Sequence, residues 1–150
     1  MKYAVIAAGL FAGDFFVKNY AEQHLKQGKH IPVWKGRIIL QKYYNNGAAL
    51  NFMEHSPRLL QRVCGGILLV LGVLWCLLQR KQGNPCVLLG LSMILGGGAS
   101  NMHDRMTKGY VVDYFSFHTP WERLNRVVFN LSDLFIFLGS ILIILFGTKE

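Results

Sequence analysis

Acidic residues are scarce in this chain of 150 residues, which has eight of them against sixteen lysines and arginines. The formal net charge is therefore +8. In a soluble protein this charge would indicate a nucleic-acid partner, but no basic stretch is interleaved with a folded recognition motif. We therefore expect no nucleic-acid partner, and we expect the basic residues to contact the anionic headgroups of membrane lipids.

Cysteine is also rare, and common hydrolase motifs are missing. Cys64, Cys76 and Cys86 lie in or beside apolar runs without C-x-x-C spacing, so we expect packing residues and not metal ligands. The absence of G-x-S-x-G and H-E-x-x-H argues against the corresponding serine and zinc hydrolases. His103 stands beside Asp104, but no second histidine has suitable spacing, so we expect neither a metal nor another cofactor.

Linkers, repeats and low-complexity tracts are absent too, so residues 1–150 are predicted to form a single integral-membrane domain. Hydrophobic residues make up 52% of the chain and the mean hydropathy is +0.30, which is too apolar for an ordinary soluble domain. A membrane helix needs about 20 mostly apolar residues. Four crossings are predicted, at about Ala4–Tyr20, Leu59–Leu78, Pro85–Ser100 and Val127–Phe146.

The first segment resembles a signal peptide in one respect, since Lys2 precedes an apolar run. Asp14 and Lys18 interrupt that run and no clear A-x-A site follows, so an uncleaved first helix is favoured. Four crossings would place residues 22–57 and 101–126 on the same side of the membrane. The segment Arg37–Tyr44 and the turn signal at residues 45–47 predict a small β-sheet on that surface.

The conspicuous polar residues would meet at this same face of the membrane. Two are in the latter half of the first helix, two follow the third and two open the fourth: Asp14, Lys18, Asn101, Asp104, Asn130 and Asp133. An ionisable residue within or near lipid usually marks a substrate path, a proton site or catalysis. A helix cap or a structural ion pair is the plainer interpretation of any one aspartate, and it is strongest for Asp104, next to Arg105.

Paired carboxylates have a specific chemical use. The units Asn101–Asp104 and Asn130–Asp133 can each present an amide beside a carboxylate on one helical face, and Asp113 lies between them among apolar residues. Two close carboxylates cannot both ionise easily, so one keeps a proton at neutral pH. The ionised one can then activate water while the other protonates a carbonyl oxygen, which suits peptide hydrolysis without a metal.

Two other classes of protein remain as alternatives. A small four-helix, proton-coupled transporter would place its key charge near the membrane midplane, whereas these acids gather near one interface. A non-catalytic membrane scaffold would leave the two N-x-x-D units without a purpose.

Five motifs, in order along the chain, resemble those of the lipoprotein signal peptidases, the signal peptidase II family of bacterial membrane aspartyl proteases. They are the D-x-x-x-K of Asp14–Lys18, the N-x-G-A-A of residues 45–49, the G-G-A-x-N-x-x-D-R of residues 97–105, and the blocks 109–113 and 129–133. The resemblance implies removal of the signal peptide from a diacylglyceryl-modified prolipoprotein, by cleavage just before the lipidated cysteine.

The resemblance also implies residue roles and a location. Asp113 and Asp133 would be the catalytic pair. The residues that would bind substrate or support this pair are Asn45, Gly47, Asn101, Asp104, Arg105, Asn130, Asp14 and Lys18. The enzyme would be a multi-pass monomer of the bacterial cytoplasmic (inner) membrane with its active site at the extracytoplasmic face. Charge counting opposes this orientation, because the positive-inside rule would place the more basic long loops in the cytoplasm.

The chain departs from the family pattern at a few positions. Ser132 replaces the alanine usual before the last aspartate, Leu50 stands where phenylalanine is common, and Ser116 replaces an acid often found after the V-V-D block. The usual glutamine after Asp14 is absent. These changes indicate a diverged member and bear on substrate preference more than on chemistry. Glycines 96–98 allow close helix packing or backbone approach to substrate, and packing is favoured.

Overall fold

Helices and one small sheet make up the part of the chain that the computed structural model describes, residues 1–47 and 55–147. The helices are α1 (Lys2–His24), α2 (Pro57–Arg80), α3 (Pro85–Thr107), the short α4 (Glu122–Asn125) and α5 (Leu131–Phe146). The strands β1 (Ile31–Val33), β2 (Ile38–Asn45) and β3 (Val111–Phe117) pair antiparallel in the order β1-β2-β3. The predicted mainly helical fold with a small sheet is confirmed.

Of the three strands of the sheet, one was predicted from the sequence and two, β1 and β3, were not. The strand expected at Arg37–Tyr44 is β2, and it pairs on both sides. Of the two strands that were not predicted, β3 is buried over nearly its whole length, from Val111 to Ser116. Its aromatic residues Tyr114 and Phe115 pack with Ala21 of α1 in a small core. The sheet is therefore attached to the helices through β3.

The third helix is longer than its apolar run. It continues past Ser100 to Thr107, so Asn101, Asp104 and Arg105 lie in its last two turns. The prediction that these residues follow the helix is wrong. Their polarity ends the hydropathy signal, but Asn101 and Asp104 are buried against partners on other elements, and the helix persists through them.

The last helix is shorter than predicted and begins at Leu131, not Val127. The backbone before Leu131 pairs with the sheet instead, since Phe129 forms an antiparallel β-bridge with Phe115. Its N–H donates to the Phe115 carbonyl at 2.7 Å, and its own carbonyl accepts from Tyr114 at 2.9 Å. A residue with both backbone groups in such a ladder cannot also start a helix.

Two of the described helices, α2 and α3, are long and apolar enough to cross a membrane by length and composition. The helix α5 is apolar but has 16 residues, and α1 does not meet the same criterion. The crossings predicted at α1 and α5 therefore stay predictions.

Polar residues lie inside this structure and apolar ones outside. Asp14 and Lys18 of α1 are 0% and 1% exposed, while Val5 and Phe16 of the same helix are 70% and 68% exposed. In α2 only Leu60 is buried, although the helix is strongly apolar. In a soluble protein the charged residues lie outside and the apolar ones inside. The reversed distribution seen here is the one expected when helices contact lipid.

Three consecutive glycines let α3 occupy the centre of the helices. A Cβ atom on Gly96 would lie 2.6 Å from the Ala7 carbonyl oxygen of α1, and one on Gly97 would lie 2.7 Å from the Ser132 carbonyl oxygen of α5. A Cβ on Gly98 would lie 2.5 Å from the Leu68 side chain of α2. The packing role predicted for glycines 96–98 is therefore confirmed, with a different neighbouring helix at each position.

Gly96→Ala should destabilise the protein, because the added methyl group would meet backbone that cannot swing aside. We expect the free energy of unfolding to fall by about 1–3 kcal/mol, the usual cost of overpacking. Gly72→Ala on α2 is the matched control, since a Cβ there meets nothing within 4 Å. It should leave stability unchanged or raise it by up to about 1 kcal/mol through helix propensity. Thermal unfolding in detergent makes the comparison, and equal behaviour of the two variants would contradict the packing argument.

Candidate active site

The two aspartates of the predicted pair line the same cavity. Asp113 is the third residue of β3 and Asp133 the third residue of α5, and both border a cavity of about 350 Å³. Asn45, Asn101 and Arg105 line this cavity as well. Five residues predicted from distant parts of the sequence are thus brought together.

The pairing register of the sheet places Asn45 beside Asp113. Asp113 pairs with Tyr43 of β2, and Asn45 lies two residues further along the same strand. Side chains two apart point to the same face of a strand, so Asn45 and Asp113 are diagonal neighbours. The Asn45 Nδ2 donates to Asp113 Oδ2 at 3.0 Å.

Asn130 and Asp133 form a capping box at the start of α5, not a pair on one helical face as predicted. The Asp133 N–H donates to Asn130 Oδ1 at 3.0 Å, and the Asn130 N–H donates to Asp133 Oδ2 at 3.0 Å. Reciprocal bonds of this kind satisfy donors that the first turn of a helix leaves open. They also fix the Asn130 amide so that its Nδ2 donates to Asp113 Oδ1 at 2.6 Å.

Lys18 determines how the Asn101 amide is turned. Its ammonium group donates to Asn101 Oδ1 at 2.7 Å, and because an ammonium can only donate, the amide oxygen must face it. The Asn101 Nδ2 therefore faces the cavity and donates to Asp133 Oδ1 at 3.1 Å. As a result, Asp113 and Asp133 each accept two N–H bonds, one on each carboxylate oxygen.

Lys18 is itself held by two buried carboxylates. It lies 2.9 Å from Asp14 Oδ2, four residues earlier on α1, and 3.4 Å from Asp104 Oδ2 of α3. Asp104 also pairs with Lys108 at 3.3 Å and accepts from the Val112 N–H at 3.1 Å. The plainer interpretation of Asp104, a structural ion pair, thus agrees with its contacts.

Arg105 lines the cavity and bonds the backbone of Gly47, not the side chain of the neighbouring Asp104. Its Nη2 donates to the Gly47 carbonyl oxygen at 2.9 Å, while the Gly47 N–H donates to Asn45 Oδ1 at 3.1 Å. The asparagine-glycine segment is therefore tied to α3. The remaining motif residues Ala48 and Ala49, with Leu50, lie outside the described residues.

Burial shifts the proton affinity of Asp113. Loss of solvent, and secondarily the charge of Asp133, raises the pKa of Asp113 from its ordinary value of 3.8 to about 7. The hydrogen bonds from Asn45 and Asn130 oppose the shift, because they stabilise the ionised form. A carboxyl group with this pKa exchanges its proton near neutral pH, as acid–base chemistry requires.

A group of hydroxyls behind the two aspartates was not predicted from the sequence. Ser100, Ser132 and Tyr114 all donate to the carboxylate of Asp14. The departure at Ser132 was visible in the sequence, but nothing there connected it with Asp14, 118 residues away. The apolar wall of the cavity was not predicted as a unit either. Its residues include Val111, Val127, Phe129, Ile136 and Phe137.

His103 and the three cysteines do not line the cavity. In residues 1–47 and 55–147, no group of three or more histidine, cysteine, aspartate or glutamate residues could hold a metal ion. His103 packs edge-on against the rings of Phe11 and Phe15, with ring centroids 5.9 and 5.3 Å away. The three cysteines are free thiols.

A family model described as signal peptidase (SPase) II matches residues 6–148. The chain belongs to the signal peptidase II family. The lipoprotein signal peptidase of Streptococcus pneumoniae is 29% identical over 148 residues, covering 98% of this chain and 92% of that protein. The lipoprotein signal peptidase of Mesorhizobium japonicum is 31% identical over 143 residues, covering 95% of this chain and 82% of that protein.

The fold agrees with this membership. A solved structure described as a bacterial membrane enzyme superposes with a TM-score of 0.82 at 22% identity, covering 99% of this chain and 92% of that one. A second structure of the same description gives a TM-score of 0.79. The family predicted from the five motifs is confirmed. Membership of signal peptidase II makes the chain a peptidase, while the roles of its individual residues remain predictions.

Lys18→Met should be strongly destabilising, because it leaves the buried carboxylates of Asp14 and Asp104 without their shared cation. We expect a loss of about 3–5 kcal/mol in the free energy of unfolding, the usual cost of removing one partner of a buried pair. Lys29→Met is the control, since Lys29 is exposed. Adding Asp14→Asn to Lys18→Met should recover part of the loss. Chemical denaturation in detergent measures all three variants, and a small effect of Lys18→Met would contradict the buried-pair interpretation.

Proposed function

We propose that this protein is a membrane aspartyl endopeptidase that removes the signal peptide from prolipoproteins by cutting just before the lipidated cysteine. One observation carries the proposal: Asp113 and Asp133 line a single cavity, and each carboxylate is oriented by two N–H donors. Family membership and relatives named lipoprotein signal peptidase support the substrate class. The transporter alternative has no such support.

The surroundings of the two carboxylates suggest different roles for them. Asp133 lies in the first turn of α5, where the helix N-terminus favours a negative charge. Asp113 lies in a buried strand, and its pKa of about 7 favours retention of a proton. We therefore assign the base to Asp133 and the acid to Asp113 in the resting enzyme.

The reaction follows from this assignment. Asp133 takes a proton from a water molecule as the water oxygen attacks the scissile carbonyl carbon, and Asp113 gives its proton to the carbonyl oxygen. The resulting diol collapses, the C–N bond breaks, and the proton held by Asp133 passes to the leaving amine. The hydroxyl proton returns to Asp113, so the pair is restored with no metal and no covalent intermediate.

The cavity wall suits a substrate that is partly lipid. Apolar side chains from β3, α5 and the segment before α5 face the carboxylates. Phe137, one of them, is also 63% exposed at the outer surface of α5. Acyl chains can therefore stay in lipid beside α5 while the peptide bond enters the cavity. Each buried methylene contributes about 0.8 kcal/mol to anchoring, and anchoring confines the bond to the depth of the aspartates.

The proposal includes one integral-membrane domain, residues 1–150, with four crossings. Large apolar side chains of α1 and α5 point outward in the same way as those of α2, as shown by Phe16, Leu138 and Val70, which are 68%, 49% and 67% exposed. Together with the family, this supports crossings at α1 and α5 as well. The site would face the extracytoplasmic side of the cytoplasmic membrane, in a monomer surrounded by lipid.

Asp113→Asn and Asp133→Asn should each abolish cleavage of a diacylglyceryl-modified precursor while leaving the protein folded. An amide is neither an acid nor a base, so we expect the rate to fall by about a thousandfold or more. The rate is measured with purified enzyme in detergent, and folding by thermal unfolding. Appreciable turnover by either folded variant would rule out the aspartyl mechanism.

The matched substrate control is the same precursor without its lipid. It should be nearly inert with the unaltered enzyme, because nothing then holds the bond at the depth of the cavity. Equal cleavage of the two precursors would show that the lipid is not recognised.

The alkaline side of the pH–rate profile should report Asp113. Activity is expected to fall as pH rises through about 7, because Asp113 loses the proton that it donates. Asn45→Ala removes a donor to the ionised form, so the pKa of Asp113 should rise and this limb should move to higher pH. Gln41→Ala is the control on the same strand, since Gln41 donates to Ser116 and not to the pair. If the alkaline limb of the Asn45→Ala profile stays in place or moves to lower pH, the assignment of Asp113 as the acid is refuted.

A further inference from the structure

Asp14 is the point at which four elements of the structure meet. Its carboxylate is fully buried and accepts from Lys18 on α1, Ser100 on α3, Ser132 on α5 and Tyr114 on β3. Lys18, Ser100 and Ser132 bind Oδ2, while Tyr114 donates to Oδ1 at 3.0 Å. A fully buried carboxylate requires donors of this number.

The Tyr114 hydroxyl makes a second bond that connects the two aspartate-bearing elements. It accepts the N–H of Leu131 at 2.9 Å while it donates to Asp14. Leu131 is the first residue of α5, whose N–H has no partner within the helix. Tyr114 follows Asp113 directly, and Leu131 lies two residues before Asp133. One phenol oxygen therefore joins β3, α5 and α1 immediately behind the pair.

Ser132 supplies a second tie from the same carboxylate. It is fully buried, and it precedes Asp133 directly in the first turn of α5. Because neighbouring strand residues point to opposite faces, Tyr114 faces Asp14 while Asp113 faces the cavity. Asp14 thus holds one residue next to each aspartate and contacts the cavity side of neither.

We propose that Tyr114 is a positioning residue that fixes the separation of Asp113 and Asp133, with Ser132 as a second tie to the same Asp14 anchor. This inference rests on the proposed function, since it concerns the working of that carboxylate pair. The separation matters because the mutual repulsion that keeps one proton on the pair weakens as the carboxylates move apart. A misplacement of about 1 Å can cost roughly a hundredfold in rate.

The test compares Tyr114→Phe with the unaltered enzyme on the lipidated precursor. The ring is retained, so its packing against Phe115 is preserved and only the hydroxyl is lost. We expect kcat to fall roughly tenfold with KM unchanged, as for a modest misplacement of catalytic groups. The alkaline limb of the pH–rate profile should move to lower pH, because a more distant Asp133 raises the proton affinity of Asp113 less.

The position of the pH limb separates positioning from simple destabilisation. Loss of folded enzyme lowers the amplitude of the profile but does not move its limb. Tyr110→Phe is the matched control, since that hydroxyl bonds Glu22 Oε1 at 3.1 Å, away from Asp14, and it should leave kcat and the limb unchanged. An unshifted limb in Tyr114→Phe, or an equal shift in Tyr110→Phe, would overturn the proposal.

Ser132→Ala tests the second tie. Alone it should lower kcat only a few-fold, because Tyr114 still connects α5 to Asp14. Combined with Tyr114→Phe, it should cost more than the product of the single losses, since no hydroxyl then holds α5. If the loss of kcat in the double variant equals the product of the two single losses, the proposal that Tyr114 and Ser132 share Asp14 as an anchor is overturned. An unaltered enzyme that fails to cut the lipidated precursor would instead refute the proposed function, which keeps the two failures distinct.

Discussion

The buried ammonium group of Lys18 is the constraint on which the rest of the structure depends. A charge removed from water costs several kcal/mol unless it is paired and fully hydrogen-bonded. Lys18 is 1% exposed, and its partners come from α1 and α3. Helix α1 must therefore turn Asp14 and Lys18 inward and its apolar residues outward. The same requirement that places the charges inside leaves a lipid-compatible surface outside.

From this ammonium, hydrogen-bond direction determines the geometry of the site step by step. Lys18 can only donate, so Asn101 presents its oxygen to it and its NH₂ to Asp133. In the capping box, Asn130 must accept from the Asp133 N–H, so its NH₂ is left for Asp113 and for Asn101 Oδ1. Neither amide can flip without placing two donors or two acceptors face to face. The pair is thus preorganised by groups that have fixed polarity.

The sequence predicted the polar residues of the site better than it predicted the ends of the helices that carry them. Apolar runs located the four long helices, and the motifs predicted Asn45, Asn101, Arg105, Asp113 and Asp133, which line the cavity. The predicted end of α3 and the predicted start of α5 were wrong, because hydropathy carries no information on contacts between distant segments. Asp104 lies within α3, where it contacts Lys18 and accepts from the Val112 N–H, and Phe129 pairs with the sheet. The pairing of Arg105 with Gly47 was equally invisible. The capping box at Asn130 and Asp133 was not predicted either, although an asparagine three residues before an acid is a helix-start signature.

The difference in proton affinity that we propose between Asp113 and Asp133 arises from the secondary structure to which each belongs. Asp133 belongs to a helix N-terminus, where backbone N–H groups and the helix dipole favour an anion. Asp113 belongs to a strand whose neighbours Val111 and Val112 are 2% and 0% exposed, so its charge is poorly solvated. Each accepts two N–H bonds, which means that bond count does not distinguish them. The division of labour that we propose between acid and base therefore rests on the placement of one aspartate on a buried strand and the other at the start of a helix.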